Sequence, residues 1–99
     1  MVKQEGQEML YVYLMKNEKP INAELIQKHV EYLRLLDEQG RLVLCGPFSD
    51  YPGGMVVFRA GNPEEAAGIA NSDPFIASGC KSLELRTLEQ ASKENNYLL

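Results

Sequence analysis

Two stretches of the chain are apolar at nearly every position, and that pattern constrains the fold before anything else. Met9 to Met15 places Met9, Tyr11, Tyr13 and Met15 on one parity and Leu10, Val12 and Leu14 on the other. Met55 to Ala60 repeats the arrangement, with Met55 and Val57 against Val56, Phe58 and Ala60. Successive side chains of a strand point to opposite faces, so both stretches predict strands that want cover on both sides. Lys81 to Leu88 alternates instead, Leu83 and Leu85 against Ser82, Glu84 and Arg86, and predicts a strand with one wet face. Leu42 to Gly46 is a short apolar run and a further strand. Between these runs the spacing turns helical. Asn22 can cap a helix that starts at Ala23 and closes at Gly40. Within it Leu25, Ile26, His29, Tyr32, Leu33 and Leu36 fall in a stripe roughly 120° wide. Asn62, Pro63 and Glu65 supply a cap, a first-turn proline and an acid at the third position, predicting a second helix to about Ala70. Asp73-Pro74 begins a short turn that Gly79 ends, and Gly46 to Gly54 is dense in turn formers and reads as a loop.

The resulting order, β-α-β-β-α-β, predicts an α+β ferredoxin-like sandwich with antiparallel strands in the order 4-1-3-2. Right-handed crossovers put both helices on one face of such a sheet. The opposite face is then apolar and has nothing within the chain to cover it, so a homodimer through the open sheet face is expected. An interface of ~800 Å² per partner is enough for this. The domain is expected over residues 9–88. Residues 1–8 read as a flexible N-terminal extension and 89–99 as a C-terminal tail, in which Leu88 to Glu94 can add a helical turn.

Composition narrows the partners. The chain has 99 residues, 44% of them hydrophobic, and a net charge of −4, which fits one small domain. The acidic balance argues against binding a nucleic-acid backbone, which needs clustered Lys and Arg. RNA binding on the sheet face, which this fold type permits, fails on the same ground. No apolar run approaches the ~20 residues of a membrane span. Cys45 and Cys80 lack a C-x-x-C spacing and read as reduced thiols of a cytoplasmic protein. With a single histidine and two scattered cysteines, neither a metal nor an organic cofactor is expected.

That histidine, His29, lies in the middle of the apolar stripe of the first helix and must point toward the sheet. A buried imidazole needs hydrogen-bond partners. Following the chain through the fold, the end of the second helix arrives where the first helix begins, so Asp73 nears His29. The Gly46, Pro47 and Ser49 loop and the top of strand 1 with Tyr13 reach the same end of the sheet. A carboxylate bonded to one imidazole nitrogen fixes its tautomer and raises basicity at the other. Two plainer readings stand beside this one: Asp73 before Pro74 is an ordinary helix cap, and His29 is a satisfied core histidine. Cys45, at a strand end without a spaced helper, reads as a packed thiol. Gly53 and Gly54 lack the context of a phosphate loop.

Three segments carry a resemblance: His29 to Leu33; Gly40 to Leu42 leading to Cys45, Gly46 and Pro47; and Asp73 to Gly79 before the last strand. In this order and spacing the chain resembles the YCII-related proteins over about Met9 to Leu88. The resemblance implies a dimeric α+β barrel like that of muconolactone isomerases, with His29 and Asp73 as the active-site pair and Phe75 beside them. Some members of that family act as dehydrochlorinases on chlorinated hydroxyquinones. Many members carry an Arg-Pro pair ahead of the histidine, where this chain has Ile26 and Gln27; Lys28 points about 100° away. The expectation is a small-molecule pocket with His29 and Asp73 as catalytic residues and Tyr13, Gly46, Pro47, Ser49 and Phe75 as binding residues. The reaction expected is isomerisation or elimination; the alternative is a non-catalytic dimeric binding or structural module.

Overall fold

Strand β1 (Met9–Asn17) runs through the middle of the sheet, and its doubly apolar sequence is what allows a central position. In the computed structural model, which describes residues 9–99, it is followed by α1 (Ala23–Glu38), β2 (Leu42–Pro47), β3 (Gly53–Ala60), α2 (Pro63–Ser72), the single-turn α3 (Pro74–Ala77) and β4 (Lys81–Leu88). The expected N-terminal extension, residues 1–8, lies outside the described residues. The strands form one antiparallel sheet in the order β2-β3-β1-β4, the arrangement expected from the chain order.

Register decides which side chains meet the helices. Tyr13 lies between Val56 of β3 and Leu85 of β4, and Tyr11 lies opposite Phe58. Tyr11, Tyr13, Met15, Val56, Phe58 and Ala60 are buried under the helices, where Ala66 and Ala70 of α2 and Phe75 of α3 complete the core. Two alanines at i and i+4 give α2 a flat face that can lie close on the large aromatic rings. Each large side chain buried this fully contributes ~1.5–3 kcal/mol, so Tyr11, Tyr13 and Phe58 dominate the packing. The opposite parity forms the open face. There Leu10, Val12 and Leu14 of β1 are half-buried, beside Val57 of β3 and the exposed Leu44 of β2.

Two irregularities place residues of the site. The pairing of β2 with β3 shifts between Leu42 and Leu44, so Leu42 meets Phe58 but Cys45 meets Val56. The extra residue flips strand parity, which turns Cys45 to the helix-covered face and Leu44 to the open one. At the start of β3, a Cβ on Gly54 would stand 2.7 Å from the carbonyl oxygen of Gly46. Only glycine lets the two strands meet at that point, and a Cβ on Gly53 would likewise run into the Met15 carbonyl of β1.

The tail differs from expectation in one respect. Leu88 remains paired with Leu10 in the sheet, and no helical turn forms from there to Ser92. Helical 3-10 turns instead span Lys93–Leu98. Asn95 anchors them, its Oδ1 accepting from the Ser92 N–H at 2.9 Å and its Nδ2 donating to the Gln90 carbonyl at 2.9 Å.

Candidate functional site

Asp73 is the point on which three elements converge. It ends α2 and begins α3, with an extended backbone (φ −60°, ψ 127°) imposed in part by the proline that follows. Its carboxylate is fully buried. Oδ1 accepts from the Phe75 N–H at 2.9 Å, capping α3, and lies 2.8 Å from His29 Nδ1. Oδ2 accepts from the Tyr13 hydroxyl at 2.6 Å. The cap and the histidine's hydrogen-bond partner are therefore one residue. A carboxylate only accepts, which assigns the His29 proton to Nδ1 and leaves Nε2 as the basic nitrogen. Nε2 makes no hydrogen bond among the described residues.

The imidazole is held by more than its hydrogen bond. Its ring stacks on Phe75, with centroids 3.9 Å apart and planes 16° from parallel. Its side chain keeps 12% exposure, which is what separates it from a sealed core histidine. The exposed edge borders a cavity of about 530 Å³, walled chiefly by apolar side chains from α1 and the sheet and by Phe75 of α3. Tyr32, one turn beyond His29, donates its hydroxyl to the Ile69 carbonyl at 2.6 Å and ties α1 to α2.

Of the residues expected at the site, His29, Gly46, Pro47 and Phe75 line the cavity. Tyr13 is fully buried behind Asp73 and reaches it, not the cavity. Ser49 is not part of the lining: it is exposed in the loop between β2 and β3, beyond the point where that loop leaves the cavity. Cys45 is not packed as expected. The bulge in β2 turns it to the cavity wall, where it is exposed as a free thiol. Partial burial, and then the Asp37 carboxylate, push its pKa up, so it is a poor nucleophile near neutrality. Lys28 faces away and meets Glu24 at 3.8 Å.

Lys81, which no pattern in the sequence marked out, also lines the cavity, its Nζ 4.3 Å from the centroid of the Phe75 ring. Burial lowers its pKa, opposed by the field of Asp73. Burial also raises the Tyr13 pKa far above the ordinary tyrosine range, and the neighbouring Asp73 carboxylate adds to it. That hydroxyl is a permanent donor. Among the described residues no three His, Cys, Asp or Glu side chains gather in a way that could hold a metal ion, and no helix is long and apolar enough to cross a membrane.

The YCII-related domain matches residues 9–89 of this chain, which takes in every element from β1 to β4. The chain belongs to the YCII-related family. Within it, YjpA of Bacillus subtilis (strain 168), described as uncharacterized, is 42% identical over 80 residues, covering 78% of this chain and 93% of YjpA. Two solved structures share the YCII-related fold at lower identity. One is the 5-chloro-2-hydroxyhydroquinone dehydrochlorinase TftG of Burkholderia phenoliruptrix AC1100, in complex with 2,5-dihydroxybenzoquinone. It aligns with a TM-score of 0.64 and 19% identity over 87% of this chain and 98% of TftG. The other is muconolactone isomerase, with a TM-score of 0.71 and 15% identity over 86% of this chain and 93% of that one. The fold is thus the ferredoxin-like α+β architecture of these two proteins.

Proposed function

We propose that this YCII-related protein is a small-molecule enzyme that isomerises its substrate or eliminates from it, with His29 as general base and acid and Asp73 as the group that orients it. The observation that carries this reading is a cavity-lining imidazole whose far nitrogen is fixed at 2.8 Å by a fully buried carboxylate. Such a pair stabilises the imidazolium formed when Nε2 takes a proton. The proton would come from a carbon next to a carbonyl, whose oxygen receives the electron pair as an enolate. Return of the proton to a different carbon isomerises the substrate. Collapse of the enolate with loss of an anionic leaving group from the adjacent carbon is elimination, and the proton then passes to solvent. Neither route calls for a metal or an organic cofactor. A dehydrochlorinase and an isomerase on the same fold support these two outcomes.

We further infer a cytoplasmic homodimer that buries Leu10, Val12, Leu14, Val57 and Leu44 against a second copy. Both cysteines are free thiols, in keeping with a reducing compartment.

Incubation in D₂O with hydroxyquinones and unsaturated lactones tests the chemistry by NMR. Deuterium should enter at the acidic carbon, and His29→Gln should slow this by ~10²–10⁴-fold with the fold intact. No incorporation into any of these compounds, or a His29→Gln variant that no longer folds, leaves a non-catalytic binding or structural module.

A further inference from the structure

We infer that Lys81 is an anion anchor, which makes the ligand of this cavity a small, largely apolar molecule bearing one oxyanion, a carboxylate or a phenolate. This rests on the cavity being a ligand site, as proposed above, and adds the substrate class.

Lysine is strongly hydrated and is seldom placed against apolar walls without a partner. Here the register of β4 forces it there. Lys81 pairs with Asn17 and shares the parity of Leu83 and Leu85, the side of the sheet that the helices cover. Its Nζ rests over Phe75, on the ring that also stacks against His29. Among the described residues it makes no ion pair. Asp73, the one buried acid among the described residues, is already satisfied by the Phe75 N–H, the Tyr13 hydroxyl and His29. The remaining walls are apolar: Ile21, Ile26, Val30, Leu33 and Val56 among them.

A ligand that fits must therefore offer an anion to Lys81, the one lysine or arginine among the described residues that line the cavity, an acidic hydrogen to His29, and otherwise apolar surface. The volume of about 530 Å³ suits a molecule of one ring. Partial burial of Lys81, half-covered and with its Nζ over Phe75, strengthens its pull on a charge that displaces the remaining water.

Three ring-sized probes separate the possibilities: benzoate, 4-nitrophenolate and the uncharged benzamide, each titrated while the His29 ring and Lys81 ε-methylene signals are followed by NMR. Both anions should bind the wild type more tightly than benzamide and shift both residues. Lys81→Met, which keeps the length and removes the charge, should weaken both anions at least tenfold and leave benzamide within twofold. Lys81→Arg should restore the anions. Preference for one anion names the oxyanion. If all three probes bind alike, or Lys81→Met leaves the anions unchanged, the anchor is wrong while the pocket stands. If no probe perturbs His29, the pocket reading falls and the anchor with it.

Discussion

Tyr13 carries a pH signature that can be measured without knowing any substrate. An unfolded tyrosine ionises near pH ~10, whereas burial, and then Asp73, hold the folded Tyr13 protonated far above that. Its contribution to stability is therefore complete below about pH 10 and is lost as pH rises beyond it, by about 1.4 kcal/mol per pH unit. Tyr13→Phe should remove one proton from the slope of stability against pH in that range, as urea unfolding at several alkaline pH values would reveal. At neutral pH the same variant should cost about 1–3 kcal/mol, since Asp73 Oδ2 loses its donor. An unchanged alkaline slope would mean that the hydroxyl is not held as described. The inward direction of His29 was legible in the sequence because helical spacing fixes it, and the approach of Asp73 because connectivity brings the end of α2 to the level where α1 begins. Lys81 was not, because lysine ordinarily reads as solvated surface and only the β4 register turns it inward. Ser49 lies outside the cavity lining, because a turn-rich loop reveals where it starts and not where its tip goes.

Helix α2 shows how a start signal written in sequence becomes a charge-dependent contact. Asn62 Oδ1 accepts from the Glu65 N–H at 2.8 Å, and Glu65 Oε1 accepts from the Gly61 N–H at 2.6 Å. Arg41 meets the same carboxylate at 3.2 Å. The Gly61 N–H first, and Arg41 after it, lower the Glu65 pKa. Stability from this group is therefore present above the unfolded value near ~4.5 and is lost as pH falls through the folded one. Glu65→Gln should flatten the acid limb of the stability curve at and below that pH. Asn62→Ala should cost about 1 kcal/mol, or roughly 4–8 °C in melting temperature, by calorimetry at pH 7. The core segments of the helices and strands were legible from periodicity and caps. The extension of β3 back to Gly53 was not, since two glycines carry no periodic signal, and they are required only by the close approach of the Met15 backbone to Gly53 and of the Gly46 backbone to Gly54.

At the scale of the molecule, the sheet order and the sidedness of the helices followed from connection rules, and they leave one broad apolar surface unused. Sedimentation at micromolar concentration should give about twice the chain mass of 11.1 kDa. Leu14→Arg, placed among Val12, Met55 and Val57, should return the mass to that of one chain with unchanged circular dichroism. A wild type sedimenting as one chain would remove the homodimer. The triple duty of Asp73 has a consequence for the protein as a working unit. The carboxylate that begins α3 also aims the imidazole and grips the central strand, so no partly melted form can retain the site. Heat should abolish ligand capture and cooperative structure at a single midpoint, with no surviving fragment of function above it.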